Sequence, residues 1–502
     1  MSKSIDEINE RILDGSVNVV TAAEMPNIVD ELGIDGALRE VDVVTTGTFG
    51  AMCSSGAFLN FGHPNIPIRM EKIWLNDVEV YADLAAVDCY IGATGESNTC
   101  GIEYGGAHVI EDLIAGKPIE LRARSKGTDC YPRQSLTTEI TIDDLNQAIM
   151  VNPRNSYQCY SAAINMGNKP IRTYMGYLYP NHRNITYSGA GMLSPLANDP
   201  TFSVIGSGTP IFLGGANGMV IGEGTQHSPG NKFGTLMTTG DMKQMSTEYI
   251  RAATITGYGV TMYVGVGIPI PVLNEDIVKH TAIKDSDIVT DIVDYGTPAR
   301  DRPTIRTVTY AELKSGSVEI NGEDIQTSPL SSYNKAIEIA TELKSRIENG
   351  KFTMAHAIRP INATKINHPM KERDVTKHVS DVMVSNFVTI MGSESAKVAA
   401  NKLISGNSNH LPVIDSDNQL IGIVTTFDIS KAFATGNTDI SVFEIMTRNV
   451  ITAYPEEPIE VAARRLQVNN IGALPVIDKS KRVVGMLHSY NLGNLIVGRC
   501  TK

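Results

Sequence analysis

The sequence predicts an α/β protein: a glycine-rich, mixed α+β N-terminal domain followed by a pair of β-α-β-β-α units. Three observations predict it. Short β-branched runs broken by glycine fill the first 360 residues, one long amphipathic helix closes that stretch, and the last third contains an internal repeat. The domains are accordingly drawn at 1–360, with a linker at 361–377 and repeat units at 378–437 and 438–502.

In chain order, V-D-V-V-T-T-G-T-F-G-A-M-C-S-S-G-A-F starts as an apolar strand and runs into a loop of small residues carrying Cys53. Small residues let backbone amides approach a bound group, and a strand end holds the loop rigidly, so Cys53 is a candidate reactive thiol. A packed cysteine in a tight turn is the alternative. G-G-A-H-V-I-E-D-L-I-A-G predicts a glycine turn and a short helix ended by Gly116, with His108 on its surface.

S-K-G-T-D-C-Y-P-R places Cys130 in a turn marked by Gly127 and Pro132. Arg122, Arg124, Lys126 and Arg133 lie around it in sequence, opposed by Asp129. Nearby cations favour the thiolate, which is the nucleophile, so the run predicts a reactive cysteine; a solvated basic face is the alternative.

In I-G-S-G-T-P-I-F-L-G-G-A-N-G-M-V-I-G-E-G-T-Q-H, Gly206 and Gly208 lead into Thr209, Pro210 and a strand-like I-F-L. The dinucleotide fingerprint needs a third glycine and a helix there. The stretch therefore reads as turns and bulges approaching a substrate, with Thr225, Gln226 and His227 as candidate polar contacts. Residues 252–274 carry no charge, yet Val264, Val266, Ile268 and Ile270 alternate with Gly and Pro at strand period, which is wrong for a membrane helix. A-I-E-I-A-T-E-L-K-S-R-I, inside residues 332–349, has apolar positions at helical spacing.

A chain of 502 residues with 42% hydrophobic and 20% charged residues is long enough for two or three folded domains. Its net charge of −12 argues against nucleic acid as a partner and leaves room for a small anionic substrate on a local basic patch. The N-terminus, M-S-K-S-I-D-E-I-N-E-R, is charged where an export signal would be apolar, so a cytoplasmic protein is expected. Six cysteines, at 53, 89, 100, 130, 159 and 500, show no C-x-x-C pair, which suits a reducing compartment. Their spacing proposes no metal site, though an iron–sulfur cluster built from scattered cysteines stays open.

Shifted by 63 residues, the C-terminal third falls on itself. D-V-M at 381–383 lies over E-I-M at 444–446, H-L-P-V-I-D over A-L-P-V-I-D, and Gly422 over Gly485. Each unit reads as a short strand (F-V-T-I, V-I-T-A), a helix, a strand at L-P-V-I-D, a further strand (I-G-I-V, V-G-M-L) and a closing helix. These patterns resemble a tandem pair of CBS domains, over residues 379–499. The resemblance implies an adenosyl ligand (S-adenosylmethionine, ATP or AMP) and a homo-oligomer formed through the pair. In the first repeat it implies Thr389, His410, Pro412, Thr425 and Asp428 as nucleotide contacts, with Asp428 on the ribose and Thr425 near the phosphates. The second repeat has His488 and Asn491 in place of Thr425 and Asp428, so one equipped site is expected.

T-F-G-A-M-C, S-K-G-T-D-C-Y-P, I-F-L-G-G-A-N-G and G-E-G-T-Q-H, in that order before a CBS pair, resemble the homocysteine-biosynthesis family of anaerobic archaea over nearly the full chain. The resemblance implies L-aspartate semialdehyde sulfurtransferase activity: sulfur carried as a persulfide on Cys130, with Cys53 as the second notable thiol. It also implies a sulfide or persulfide donor and a ferredoxin-like electron-donor protein. Arg133, Arg124 or Arg122 are candidates to clamp the substrate carboxylate, since guanidinium matches that group bidentately. Two rival readings remain at this level. One is an oxidoreductase similar to inosine-monophosphate dehydrogenase, on the G-x-x-C-x-x-R pattern from Gly127 to Arg133; the other is a non-enzymatic adenosyl-sensing adaptor.

Overall fold

The computed structural model describes residues 2–371, 377–490 and 492. Asn491, Cys500 and the expected closing helix of the second repeat beyond its first residues therefore lie outside the described residues. The chain forms two compact units, one ending at His368 and the other starting at Pro369.

The first unit is built on a nine-stranded sheet whose pairs are all antiparallel. Glycine-broken, β-branched segments pair well in this way because each strand is short and each turn can be tight. Strand Thr48–Ala51 joins the sheet through Gly259–Gly267, and that pairing fixes the chain just before Cys53. A six-stranded sheet carries the hairpin Ile119–Arg124 and Ser135–Ile140, whose connecting loop holds Cys130. A further six-stranded, mixed sheet contains Ala162–Ile164 and Val289–Asp294 as parallel neighbours. The antiparallel order of the main sheet is not that of a strand–helix barrel, which removes the dehydrogenase-like alternative at the level of fold.

The expected long helix is Tyr333–Glu348. Ser332 caps it by accepting the Lys335 amide at 3.2 Å, and Ala336, Ile339, Ala340, Leu343 and Ile347 form its buried face. The uncharged stretch 252–274 is strand, at Gly259–Gly267 and Pro269–Pro271. No helix among the described residues is long and apolar enough to cross a membrane.

Residues 361–368, expected as the start of the linker, pack on the first unit instead. Ile361 is buried in its main core, and Gly230 N donates to Lys365 O at 3.0 Å. An apolar residue directly after Pro360 supplies the burial that holds the segment down.

In the second unit the repeats follow the expected order: helices Ala396–Ser405 and Ile459–Val468, and hairpins His410–Ile414 with Leu420–Thr425 and Ala473–Ile477 with Val483–His488. The opening strands are shorter than expected. Ile390–Met391 pairs over two residues, and the second repeat keeps a single bridge, Ala453 to Val476. The motifs that expose the repeat also join its halves. A Cβ on Gly422 would stand 2.4 Å from Met446 Sδ, and one on Gly485 would stand 2.7 Å from Met383 Sδ. Each methionine therefore packs on the glycine of the other repeat, and only glycine leaves space for it.

Candidate active site

A chamber of about 790 Å³ opens beside Cys53. The cysteine sits in the turn after Thr48–Ala51, and its Sγ lies 3.1 Å from Thr261 Oγ1 on the neighbouring strand. Tyr157, Tyr160, Tyr174, Tyr258 and Tyr295 wall the chamber, and Arg154, Arg302 and Gln226 also line it. The Tyr174 and Tyr295 hydroxyls are 2.8 Å apart, and Arg302 Nη1 donates to Tyr174 Oη at 2.7 Å. Burial pushes the Tyr157 phenol up to about 12 and raises Tyr160 and Tyr295 as well. These hydroxyls therefore stay protonated near neutral pH and serve as hydrogen-bond donors. A thiol flanked by neutral donors and guanidinium groups can bind an anionic carbonyl compound and polarise its oxygen.

Of the residues expected from sequence, Cys53 and Gln226 meet in this chamber. His227 does not. It is buried, its Nδ1 accepts the Thr235 amide at 3.0 Å and its Nε2 bonds Asn362 O at 2.9 Å, so it ties residues 361–368 to the fold. Cys130 is exposed on its hairpin loop. Three of the four cations near it in sequence are engaged elsewhere. Arg122 Nη2 pairs with Asp77 at 2.9 Å and lies over Trp74, Lys126 Nζ stands 3.5 Å from Glu71, and Arg133 Nε donates to Ser135 O at 2.9 Å. Arg124 is exposed on strand Ile119–Arg124. Arg122, Arg124 and Arg133 thus do not line the Cys53 chamber, and two of the four cations expected around Cys130, Arg122 and Lys126, are paired with acids from outside the run, Asp77 and Glu71.

Arg154, Arg302 and the tyrosines escaped the sequence reading. The dense S-Y-Q-C-Y run at 156–160 was the available signal for the tyrosines, whereas Arg302 had none. Cys89 and Cys159 are poor candidates, because burial raises both thiols and Cys159 Sγ already donates to Val289 O at 3.4 Å. Among the described residues no three His, Cys, Asp or Glu side chains converge into a metal-holding group.

In the second unit a cavity of about 280 Å³ is lined by Asn386, Phe387, His410, Gly472, His488 and Tyr490, among others, and so draws on both repeats. His410 faces His488 with ring centroids 5.9 Å apart, and Tyr490 stacks on His488. Thr389, Pro412, Thr425 and Asp428 do not line it. Pro412 is buried within its strand, Thr389 O accepts from Lys402 Nζ at 3.2 Å, and Asp428 Oδ2 accepts from Thr425 N and Oγ1 in a helix-capping box. The nucleotide contacts expected together are therefore divided. Burial lowers the pKa of His410 and of His488, and the charge of His410 lowers His488 further. A base whose folded pKa is depressed is protonated first in the unfolded chain, so its neutral burial stabilises the fold above the ordinary histidine value of about 6.5 and loses this effect as pH falls below it. Thermal unfolding of the full chain from pH 7.5 to 5.0 is expected to show a falling C-terminal transition, flattened by His410→Gln with His488→Gln.

A thiol among neutral donors and cations suits group transfer to a small anionic substrate, which makes the first unit an enzyme domain. The chain belongs to the family of homocysteine biosynthesis enzymes for sulfur incorporation, whose model matches residues 17–354; CBS-domain models match residues 379–435 and 442–497. It is 52% identical over 499 residues to the L-aspartate semialdehyde sulfurtransferase of Methanosarcina acetivorans, covering 99% of this chain and 100% of that one. It is 51% identical over 512 residues to the L-aspartate semialdehyde sulfurtransferase of Methanocaldococcus jannaschii, covering 99% of each. A CBS domain pair crystallised with 5-methylthioadenosine and S-adenosyl-L-methionine is 39% identical, covers 25% of this chain and 98% of its own, and has a TM-score of 0.24.

Proposed function

We propose that the protein is an L-aspartate semialdehyde sulfurtransferase that forms homocysteine, with the aldehyde bound in the Cys53 chamber. The observation that carries this reading is near-full-length identity of about half to two sulfurtransferases of that name. The chamber supports it, since it joins a thiol, neutral hydroxyl donors and cations.

In this reading Cys130 carries the sulfur as a persulfide, because its exposed loop can be loaded by a donor. Cys130 is not among the residues lining the chamber, so the reading requires its loop to deliver the persulfide there. The terminal sulfur then attacks the aldehyde carbon, a carbon–sulfur bond forms, and the carbonyl oxygen takes a proton from a tyrosine hydroxyl. Two electrons cleave the sulfur–sulfur bond and return the Cys130 thiol. The oxygen leaves as water, and a further electron pair reduces the resulting thioaldehyde to the thiol. An external donor, a ferredoxin-like protein, supplies those electrons, and Cys53 relays them as a disulfide partner. The test is anaerobic incubation of the protein with the semialdehyde, a sulfur source and a low-potential reductant. Homocysteine must appear only when all are present.

The CBS pair is proposed as an adenosyl-ligand sensor through which the protein also assembles with itself. S-adenosylmethionine is the favoured ligand because homocysteine lies upstream of it, so binding would close a feedback loop. Asp428 lies in the capping box of helix Thr426–Ala434, where Oδ1 takes no part in the cap and can accept a ribose hydroxyl. Calorimetry on the full chain is expected to show binding of S-adenosylmethionine, ATP or AMP that weakens about tenfold in Asp428→Asn, the scale of one charge-assisted hydrogen bond. Equal binding by the variant would move the site away from Asp428.

A further inference from the structure

The Cys53 chamber contains two guanidinium groups, and its lining includes no Asp or Glu. Arg122, Arg251, Arg306 and Arg346 of the first unit pair with acids, and Arg124 is open to solvent, whereas Arg154 and Arg302 share one cavity whose lining offers no acid. In a chain of net charge −12, leaving two cations unmatched in one cavity points to an anionic occupant.

The two arginines are held differently. Arg154 Nε donates to Thr225 Oγ1 at 3.1 Å, and its backbone carbonyl accepts from Ser54 beside Cys53 at 3.3 Å. It belongs to the thiol end. Arg302 lies against the Tyr295 ring, 4.3 Å from its centroid, with Nη1 on the Tyr174 hydroxyl. Its backbone has φ of 50°, an uncommon region for a residue other than glycine. The tyrosine pair fixes one end of the fork and stacks its face, which leaves the other N–H groups to donate to a planar anion.

We propose that Arg302, oriented by Tyr174 and Tyr295, binds the substrate carboxylate and makes the chamber selective for anionic aldehydes. This rests on the sulfurtransferase reading and adds the group that selects the substrate. The same lining gives the ammonium group no carboxylate to pair with, so Gln226 and the tyrosine oxygens meet it as dipoles. Deleting the carboxylate from a ligand should therefore weaken binding more than deleting the ammonium.

The experiment is calorimetry on the full chain with three thiols: L-homocysteine, its carboxamide, and 4-mercaptobutanoate, which lacks the amine. Wild type is expected to bind the carboxamide about 10- to 100-fold more weakly than L-homocysteine, the scale of a charged hydrogen-bonded pair, and to bind 4-mercaptobutanoate within a fewfold of it. Arg302→Ala should erase the preference for carboxylate over carboxamide, Arg302→Lys should keep part of it, and Tyr174→Phe should reduce it by less than Arg302→Ala. If wild type shows the preference and forms homocysteine, but Arg302→Ala keeps the preference, the proposal falls and the sulfurtransferase reading stands. A larger loss from removing the amine also overturns the proposal. If wild type binds none of the three thiols and forms no homocysteine, the reading and the proposal fall together.

Discussion

Replacing Cys130 with serine is expected to lower homocysteine formation by about a thousandfold or more, equivalent to roughly 4 kcal/mol in the barrier, with little change in stability. Serine cannot hold a sulfane sulfur, and its hydroxyl is a far weaker nucleophile than a thiol. Cys130 is exposed on a hairpin loop, where a substitution should alter unfolding by no more than about 0.5 kcal/mol. Cys53→Ser should also be impaired, but at a different step. Mass measurement after sulfur loading should show one added sulfur atom on the Cys130 peptide of Cys53→Ser and none in Cys130→Ser. Cys100, exposed like Cys130, is the control, and Cys100→Ser should keep both loading and turnover. Near-normal homocysteine formation by Cys130→Ser would remove Cys130 from the mechanism and return its loop to a solvated face.

The contrast between these two cysteines shows what the sequence made legible. Cys53 was found because a strand followed by small residues is a local pattern, and the turn around Cys130 was marked by Gly127 and Pro132 for the same reason. The partners of the cations were not local. Strand Ile119–Arg124 sets Arg122 opposite Trp74, and the hairpin that holds Trp74 brings Asp77 within 2.9 Å of Arg122. That register is a tertiary fact, so the basic run read alone looked opposed by Asp129 only. Arg302 was hidden more thoroughly, since it reaches the chamber from a loop far along the chain from Cys53. In the second unit the repeat was plain, yet alignment at a fixed offset sets His410 over Ala473, whereas the fold sets His410 against His488. Repeats reveal which residues correspond, and packing between them decides which residues meet.

Gly47→Ala should be the most damaging of the conservative substitutions near Cys53, and its sign tests why that segment is rich in glycine. The sequence suggested that small residues there admit a bound group. The fold gives another reason. A Cβ on Gly47 would stand 2.1 Å from Ala336 O and 3.0 Å from Ala340 N, both backbone atoms of helix Tyr333–Glu348. The helix cannot easily retreat, because Thr45 Oγ1 donates to Ala340 O at 2.8 Å and Ile339, Leu343 and Ile347 are fully buried beneath it. Gly47 is also tied from the other side by its amide, which donates to Leu193 O at 2.9 Å. Its φ is not in the left-handed region, so alanine fits the backbone conformation and the cost is steric. At an uncrowded position of that kind, alanine would stabilise by about 0.4–1 kcal/mol through the unfolded chain. Here overpacking against backbone should instead destabilise by about 3 kcal/mol or more. The displaced strand end leads directly into the Cys53 turn, so turnover should fall further than the loss of folded protein accounts for. Urea unfolding alongside homocysteine formation per folded molecule measures both effects. A neutral or stabilising Gly47→Ala would mean that helix Tyr333–Glu348 does not seat the Cys53 strand, and the chamber would lose its structural basis.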